Sequence, residues 1–224
     1  MAKLLNITLL ILDIFLSCVI IAGVTLLFIY IMIIFSSVSI PISLLSDLAI
    51  TVGLTAGTVY LFQRYPPNKI PLISKSSKQK IILYGLIGGM LLALLIFPYK
   101  HILENSTISE GYLIRSDSNS LTILFLLLAT AILPLLEELY FRGCIFRLIK
   151  HRVNFFTATL ISSFLFVLYH NIISYGMFLK LFIVSLLLTF IYEYSGNIIS
   201  PIIAHVLGNS VWYLAIYLHK YGLI

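Results

Sequence analysis

The sequence predicts an all-α protein, a polytopic membrane helix bundle of about seven transmembrane helices around a polar intramembrane site. Three observations carry that expectation. Hydrophobic residues make up 61% of the 224 positions and charged residues 10%, too few charges to solvate the surface of a water-soluble domain. Apolar runs recur at the length needed to cross a hydrocarbon layer about 30 Å thick, which takes roughly 20 helical residues. The polar residues inside the later runs recur four apart, one helical turn from their companions.

The first run, 4–35, follows Met-Ala-Lys and resembles a secretory signal, but it continues well past a signal's apolar core and shows no small-residue cleavage site, so a retained first span is expected. The second span covers 42–63. After it, "QRYPPNKIPLISKSSKQK" carries Arg64, Lys69, Lys75, Lys78 and Lys80, no acid, and prolines that prevent regular helix, the marks of a cytoplasmic loop. A third span at 81–99 leads to a loop with Glu104, Glu110 and Asp117 against Lys100 and Arg115, which places it outside. Asn105 to Thr107 there matches a glycosylation sequon to which no weight attaches. The fourth span, 121–149, ends in the basic cluster Arg142, Arg147, Lys150 and Arg152, inside again. Spans at 155–174, 177–194 and 198–218 complete an odd number, with Lys3 inside and the C-terminus outside, against which Lys220 counts as an objection. The organisation expected is one integral-membrane domain over 1–224, with the polar motifs confined to 120–218.

The formal charge of +6 resides in the loops, where it reads as topology signal and contact with the lipid bilayer's headgroups; no nucleic acid partner is expected. Cys18 and Cys144 lie in or beside apolar runs and imply no disulfide framework. Asp13 and Asp47 are isolated acids at different depths, expected to make separate helix-interface hydrogen bonds rather than pair with each other. Trp212, Tyr213 and Tyr217 read as an interfacial aromatic belt, and His151 and His219 carry no chemistry.

The second half holds the informative residues: Glu137 and Glu138 with Arg142, Phe166 with His170, and His205 with Asn209. With a reversal near Val153, Glu137 lies 16 residues before it and His170 17 after it. Both then stand about 25 Å from the turn at a rise of about 1.5 Å per residue. His205 lies nine residues past a reversal near Gly196. If the 150–154 corner projects about 10 Å further than that turn, three helices deliver their polar groups to one plane beneath the cytoplasmic face. Each ionisable group at such depth costs about 2.5–3.5 kcal/mol on insertion scales, so the groups must face one another or water.

A carboxylate beside an imidazole can take a proton from water, and a second imidazole with an amide offers donors to an oxyanion, which together describe acyl-bond hydrolysis. The rival device is a metal: Glu137, His170 and His205 would be a zinc ligand set with a fourth position for water, although the His-Glu-x-x-His helix signature is absent and Asn209 is a poor zinc ligand. No serine nucleophile stands out; Ser162 and Ser163 read as small residues for helix packing.

"EELYFR" at 137–142, "FVLYH" at 166–170 and "HVLGN" at 205–209 resemble the motifs of the CAAX protease and bacteriocin-processing (CPBP, Abi) family of intramembrane proteases. The resemblance covers roughly 120–218. It implies that Glu137 activates the hydrolytic water with help from His170, that His205 and Asn209 bind the oxyanion or assist the water, and that Glu138 and Arg142 form a supporting pair, with Phe166 completing its motif. It leaves open a metalloprotease or a metal-free glutamate mechanism. A short chain rich in Ile, Leu and Lys points to the bacterial branch, with a peptide or protein substrate at the cell membrane and a role in bacteriocin or pheromone maturation or in self-immunity. Two other classes stay open: a noncatalytic immunity protein that binds a bacteriocin or its receptor, and a transporter, disfavoured by the lack of internal repeats. The sequence assigns no oligomeric state.

Overall fold

The computed structural model describes residues 2–35, 42–67, 72–73, 76–96, 119–170 and 174–220. The external loop 100–118 with its sequon, Lys69, Lys75, and the side chains of Lys3, Tyr217, His219 and Lys220 lie outside the described residues. The described chain is helical apart from turns and one isolated bridge between Ile73 and Asn197. We number its helices α1 (Ala2–Phe35), α2 (Ile42–Arg64), α3 (Lys78–Ile96), α4 (from Asn119–Leu127 through Arg147–Lys150), α5 (Phe155–Tyr169), α6 (Tyr175–Ser195) and α7 (Ile199–Lys220).

Among the described residues six helices are long and apolar enough to cross a membrane, which makes this a multi-pass membrane protein. The fifth expected span, 155–174, differs: α5 has 15 residues, about 22 Å of helix against a hydrocarbon layer of about 30 Å. It stops short because the chain turns at His170, where that residue's backbone leaves the helix. Its start is set by Asn154, whose side-chain oxygen accepts from Thr157 N at 2.9 Å and caps the helix. The α6–α7 reversal falls at Gly196, as expected, in the left-handed conformation (φ 68) that glycine adopts without strain.

Two seams of small residues bring helices into close contact, the device that lipid-embedded helices use in place of hydrophobic collapse. On α2, Gly53 and Gly57 face α1, and a Cβ at Gly53 would lie 2.2 Å from Thr25 Oγ1 and 2.8 Å from the Ile21 carbonyl oxygen. On α3, Gly85 and Gly89 meet Ile203 and Leu207 of α7. Asp13 fastens the first seam, accepting from Tyr60 Oη (2.8 Å), Tyr65 Oη (2.6 Å) and Arg64 Nε (3.2 Å), the interface hydrogen bonding expected of it. Gly53→Ala is expected to lower stability by roughly 1–3 kcal/mol through overpacking against backbone. Thermal unfolding in detergent measures it, with Gly23→Ala, whose Cβ meets nothing within 4 Å, as the matched control without effect.

α4 occupies the centre, packed against α2, α5 and α7. It is not a uniform α-helix. Two stretches, Leu128–Ile132 and Leu139–Phe146, take π-helical form around the α-helical Leu133–Glu138. Pro134 explains the first: it has no N–H to donate and its ring crowds the carbonyl one turn earlier, a clash that a wider turn relieves. One end of the bundle gathers the end of α2, the start of α3 and both reversals: Arg147 Nη2 donates to the Tyr65 carbonyl at 3.1 Å and Tyr192 Oη to the Leu72 carbonyl at 3.2 Å. Arg142 and Arg147, expected among headgroup-facing charges, are instead 0% and 5% exposed. Their guanidinium groups are held by protein partners, which removes the need for lipid or water.

Candidate active site

Glu137 and Glu138 sit on the α-helical piece of α4 between its π-helical stretches. Neighbours on a helix diverge by about 100°, so each acid meets different partners. Glu138 is fully enclosed and accepts from Arg142 Nη1 at 2.8 Å. Arg142 turns its other terminal nitrogen to Ser185 of α6, donating to the carbonyl at 3.0 Å and the hydroxyl at 2.8 Å, while its guanidinium lies 4.7 Å from the Phe166 ring centre. His205 Nδ1 of α7 lies 2.8 Å from Glu138 Oε1. The contacts the pair makes tie α4 to α5, α6 and α7, while Glu138 Oε2 and Arg142 Nε are buried without a hydrogen-bond partner among the described residues.

Glu137 stands beside this pair at a cavity surface. Its Oε1 lies 3.9 Å from His170 Nε2 and its Oε2 lies 3.7 Å from His205 Nε2. Both distances exceed a direct hydrogen bond of about 2.7–3.2 Å. The opposite ring nitrogens decide what faces the gap. His170 Nδ1 is 2.7 Å from the Phe166 carbonyl, which only accepts, so Nδ1 carries hydrogen. His205 Nδ1 donates to the Glu138 carboxylate by the same reasoning. When the rings are neutral, Nε2 of each carries a lone pair on the side of Glu137. Acceptors facing one gap need a donor between them, and water, with two hydrogens, is the smallest that fits.

Two imidazoles and a carboxylate are also ligands that zinc accepts in hydrolytic sites, and both rings have outer hydrogen bonds of the kind such ligands use. Among the described residues, however, no group of three or more His, Cys, Asp or Glu is arranged to hold a metal ion. Glu137, His170 and His205 are the residues that would hold such an ion, which would supply a Lewis acid to the water between them.

Asn209 has a definite partner. Leu133 N–H donates to the Leu128 carbonyl, in π register, so the next carbonyl, Ala129, would look to position 134 for its donor and finds proline. Asn209 Nδ2 donates there instead, at 3.2 Å, joining α7 to α4 one turn beyond His205. Its second amide hydrogen is left for the cavity that Asn209 also lines. Asn209→Leu is expected to cost roughly 1–3 kcal/mol through an orphaned carbonyl, and distinctly less in a Pro134→Ala background, where an N–H at 134 closes the turn. Thermal unfolding of the four proteins in detergent measures the coupling; equal costs in both backgrounds would detach Asn209 from this carbonyl.

Two cavities meet at the site. One of about 310 Å³ is lined by Lys180, Leu181, Trp212 and Tyr213 of α6 and α7, and one of about 910 Å³ by Cys18 and Ile21 of α1 with Tyr140 and Tyr169. Asp47, Leu133, Glu137 and His170 line both. The structure thus brings together Glu137, Glu138, Arg142, Phe166, His170, His205 and Asn209. Trp212 and Tyr213, expected at the membrane interface, line the smaller cavity: Trp212 gives Lys180 Nζ a π face at 5.0 Å, and Tyr213 packs edge-on to Phe125 at 5.5 Å. Ser185 escaped the sequence reading because a lone serine in an apolar helix signals nothing by itself. Asp47, expected to make a helix-interface hydrogen bond, instead places its side chain in the wall of both cavities, with no hydrogen bond to its carboxylate among the described residues.

Residues 119–211 match the family described as type II CAAX prenyl endopeptidase Rce1-like, and this segment holds Glu137, Glu138, Arg142, His170, His205 and Asn209. Over that segment the chain is similar to the CAAX-type membrane proteases that its three motifs resemble. A curated relative, the membrane-embedded CAAX protease MroQ of Staphylococcus aureus (strain USA300), is 30% identical over 155 residues. The match covers 64% of this chain, which spans 61% of that relative's length. No solved structure matches.

Proposed function

We propose that this chain is an intramembrane endopeptidase that hydrolyses a peptide bond with a water seated between Glu137, His170 and His205. The observation that supports this reading is the approach of two imidazole Nε2 atoms, at 3.9 and 3.7 Å, to the two oxygens of one buried carboxylate. The water gives one hydrogen to Glu137 and directs the other to His170, leaving a lone pair for the substrate carbonyl carbon. As the carbon–oxygen bond forms, the proton passes to Glu137 and negative charge develops on the carbonyl oxygen. The second amide hydrogen of Asn209 is the donor offered to that oxygen, while His205 is anchored through Nδ1 on Glu138 beside the gap. Glu137 then returns the proton to the leaving nitrogen as the carbon–nitrogen bond breaks, giving a carboxylic acid and an amine, which exchange the remaining proton to become carboxylate and ammonium.

The end of the bundle that holds Arg64, Lys78, Lys80, Lys150 and Arg152 faces the cytoplasm by the positive-inside rule, and α1, antiparallel to α2, puts the N-terminus there too. The substrate is a peptide or protein at a bacterial cell membrane, in bacteriocin or pheromone processing or self-immunity. His170→Ala and His205→Ala are each expected to slow cleavage by about 10²-fold or more in proteoliposomes at unchanged expression. Full activity in either would remove that residue from the mechanism. Cleavage is also expected to persist after a chelator has stripped zinc, as verified by elemental analysis. Activity that falls with zinc and returns on its addition would assign the water to a metal held by Glu137, His170 and His205.

A further inference from the structure

We propose that Asp47 selects the substrate, pairing with a lysine or arginine side chain next to the scissile bond. The proposal rests on the endopeptidase reading above and adds the substrate's chemistry to it. Three acids in this bundle are held by a cation: Asp13 by Arg64 with two phenols, Glu138 by Arg142 with His205, and Glu193 by Lys150. Asp47 departs from this pattern. Among the described residues its carboxylate makes no hydrogen bond and no ion pair; the bond recorded at Asp47 is its backbone carbonyl accepting from Thr51 Oγ1 at 2.7 Å. A half-buried carboxylate in a cavity wall, one turn into an apolar span and without a partner, is a group that a ligand completes.

Its position says which ligand. Asp47 and Glu137 line both cavities, so a peptide lying across their shared wall presents its backbone to Glu137 and an adjacent side chain to Asp47. The cavity walls carry these two carboxylates against Lys180 as their cation, and Lys180 lies over Trp212 on the far helices. Arg142, the nearest guanidinium to the site, is taken up by Glu138 and Ser185. The wall is short of positive charge where the substrate enters, and a cationic side chain supplies it. The remainder of the larger cavity, with Ile14, Ile21, Ile50, Leu165 and Leu168, accepts apolar neighbours of that residue.

The test uses full-length protein in proteoliposomes and three peptides of one apolar sequence that differ at the residue beside the scissile bond: lysine, norleucine or glutamate. Binding is read by fluorescence on Glu137→Gln protein, so recognition is measured whether or not the chain cleaves; cleavage is read on the otherwise unaltered protein. The expected result is lysine over norleucine by roughly 30-fold or more in both assays, with glutamate weakest. In Asp47→Asn protein the lysine-to-norleucine ratio falls toward unity, chiefly through KM, and Asp47→Lys reverses the order in favour of glutamate. Equal binding of all three peptides by protein with Asp47 intact would overturn the proposal, without needing any variant to fold. So would an Asp47→Asn protein that binds more weakly but keeps the lysine preference, the mark of a structural or proton-carrying role. Selective binding without cleavage would uphold Asp47 and sink the endopeptidase reading.

Discussion

Glu137→Gln is expected to abolish peptide cleavage, by a factor of about 10² to 10⁴ for loss of the base, while the protein remains folded and inserted. The exchange is nearly isosteric and replaces one carboxylate oxygen with an amide nitrogen that donates. Glu137 makes no direct hydrogen bond to its imidazole neighbours, which stand 3.7 and 3.9 Å away, so little packing depends on its charge. What disappears is the acceptor for the water's proton. Cleavage of a peptide in proteoliposomes and thermal unfolding in detergent together read the effect: activity lost at an unchanged midpoint. A protein that acts by binding alone would keep its protective function in this variant, at normal expression.

The largest loss of stability is expected from Arg142→Leu, about 3–5 kcal/mol, because it leaves Glu138 as an uncompensated charge where no surface is exposed. The same exchange breaks both bonds to Ser185 and so releases α6 from α4. Removing the acid as well should recover much of the loss, since paired apolar replacements of a buried ion pair are often close to neutral. Arg142→Leu with Glu138→Leu is therefore expected to unfold later than Arg142→Leu alone, yet to cleave poorly, because His205 has lost the anchor of its Nδ1. Unfolding in detergent separates the two variants. A midpoint for Arg142→Leu equal to that of the unaltered protein would place the pair in contact with water.

Contrast between those two acids shows what was legible before any coordinates. Spacing places Glu138 and Arg142 within one helical turn of each other, and counting from Val153 places Glu137 and His170 at one level. Both placements survive the π-helical stretch Leu139–Phe146 that interrupts the regular helix the counting assumes. The reversals expected near Val153 and Gly196 coincide in the structure with the Asn154 cap and the left-handed Gly196. Identity of neighbours is a tertiary matter. Nothing in the isolated sequence of α6 says that Ser185 receives Arg142, or that Trp212 faces Lys180 rather than headgroups. Pro134 was visible as a residue, but its effect, a π-helical stretch with the Ala129 carbonyl handed to Asn209, required the register of α4 and the approach of α7. Arg147 illustrates the limit of charge patterning: the positive-inside rule counts cations near a helix end, and cannot tell one solvated at the surface from one turned back onto a backbone carbonyl.

The central claim is that Glu137 and His170, brought from α4 and α5 to the same gap, act on one water. A double-variant cycle on the cleavage step measures this directly, using Glu137→Gln, His170→Ala and their combination under single-turnover conditions. Groups that act as a unit are strongly non-additive, so the combined variant should cleave no more slowly than Glu137→Gln alone. Rate losses that multiply would mean that the carboxylate and the imidazole act on different atoms, and would contradict the shared water.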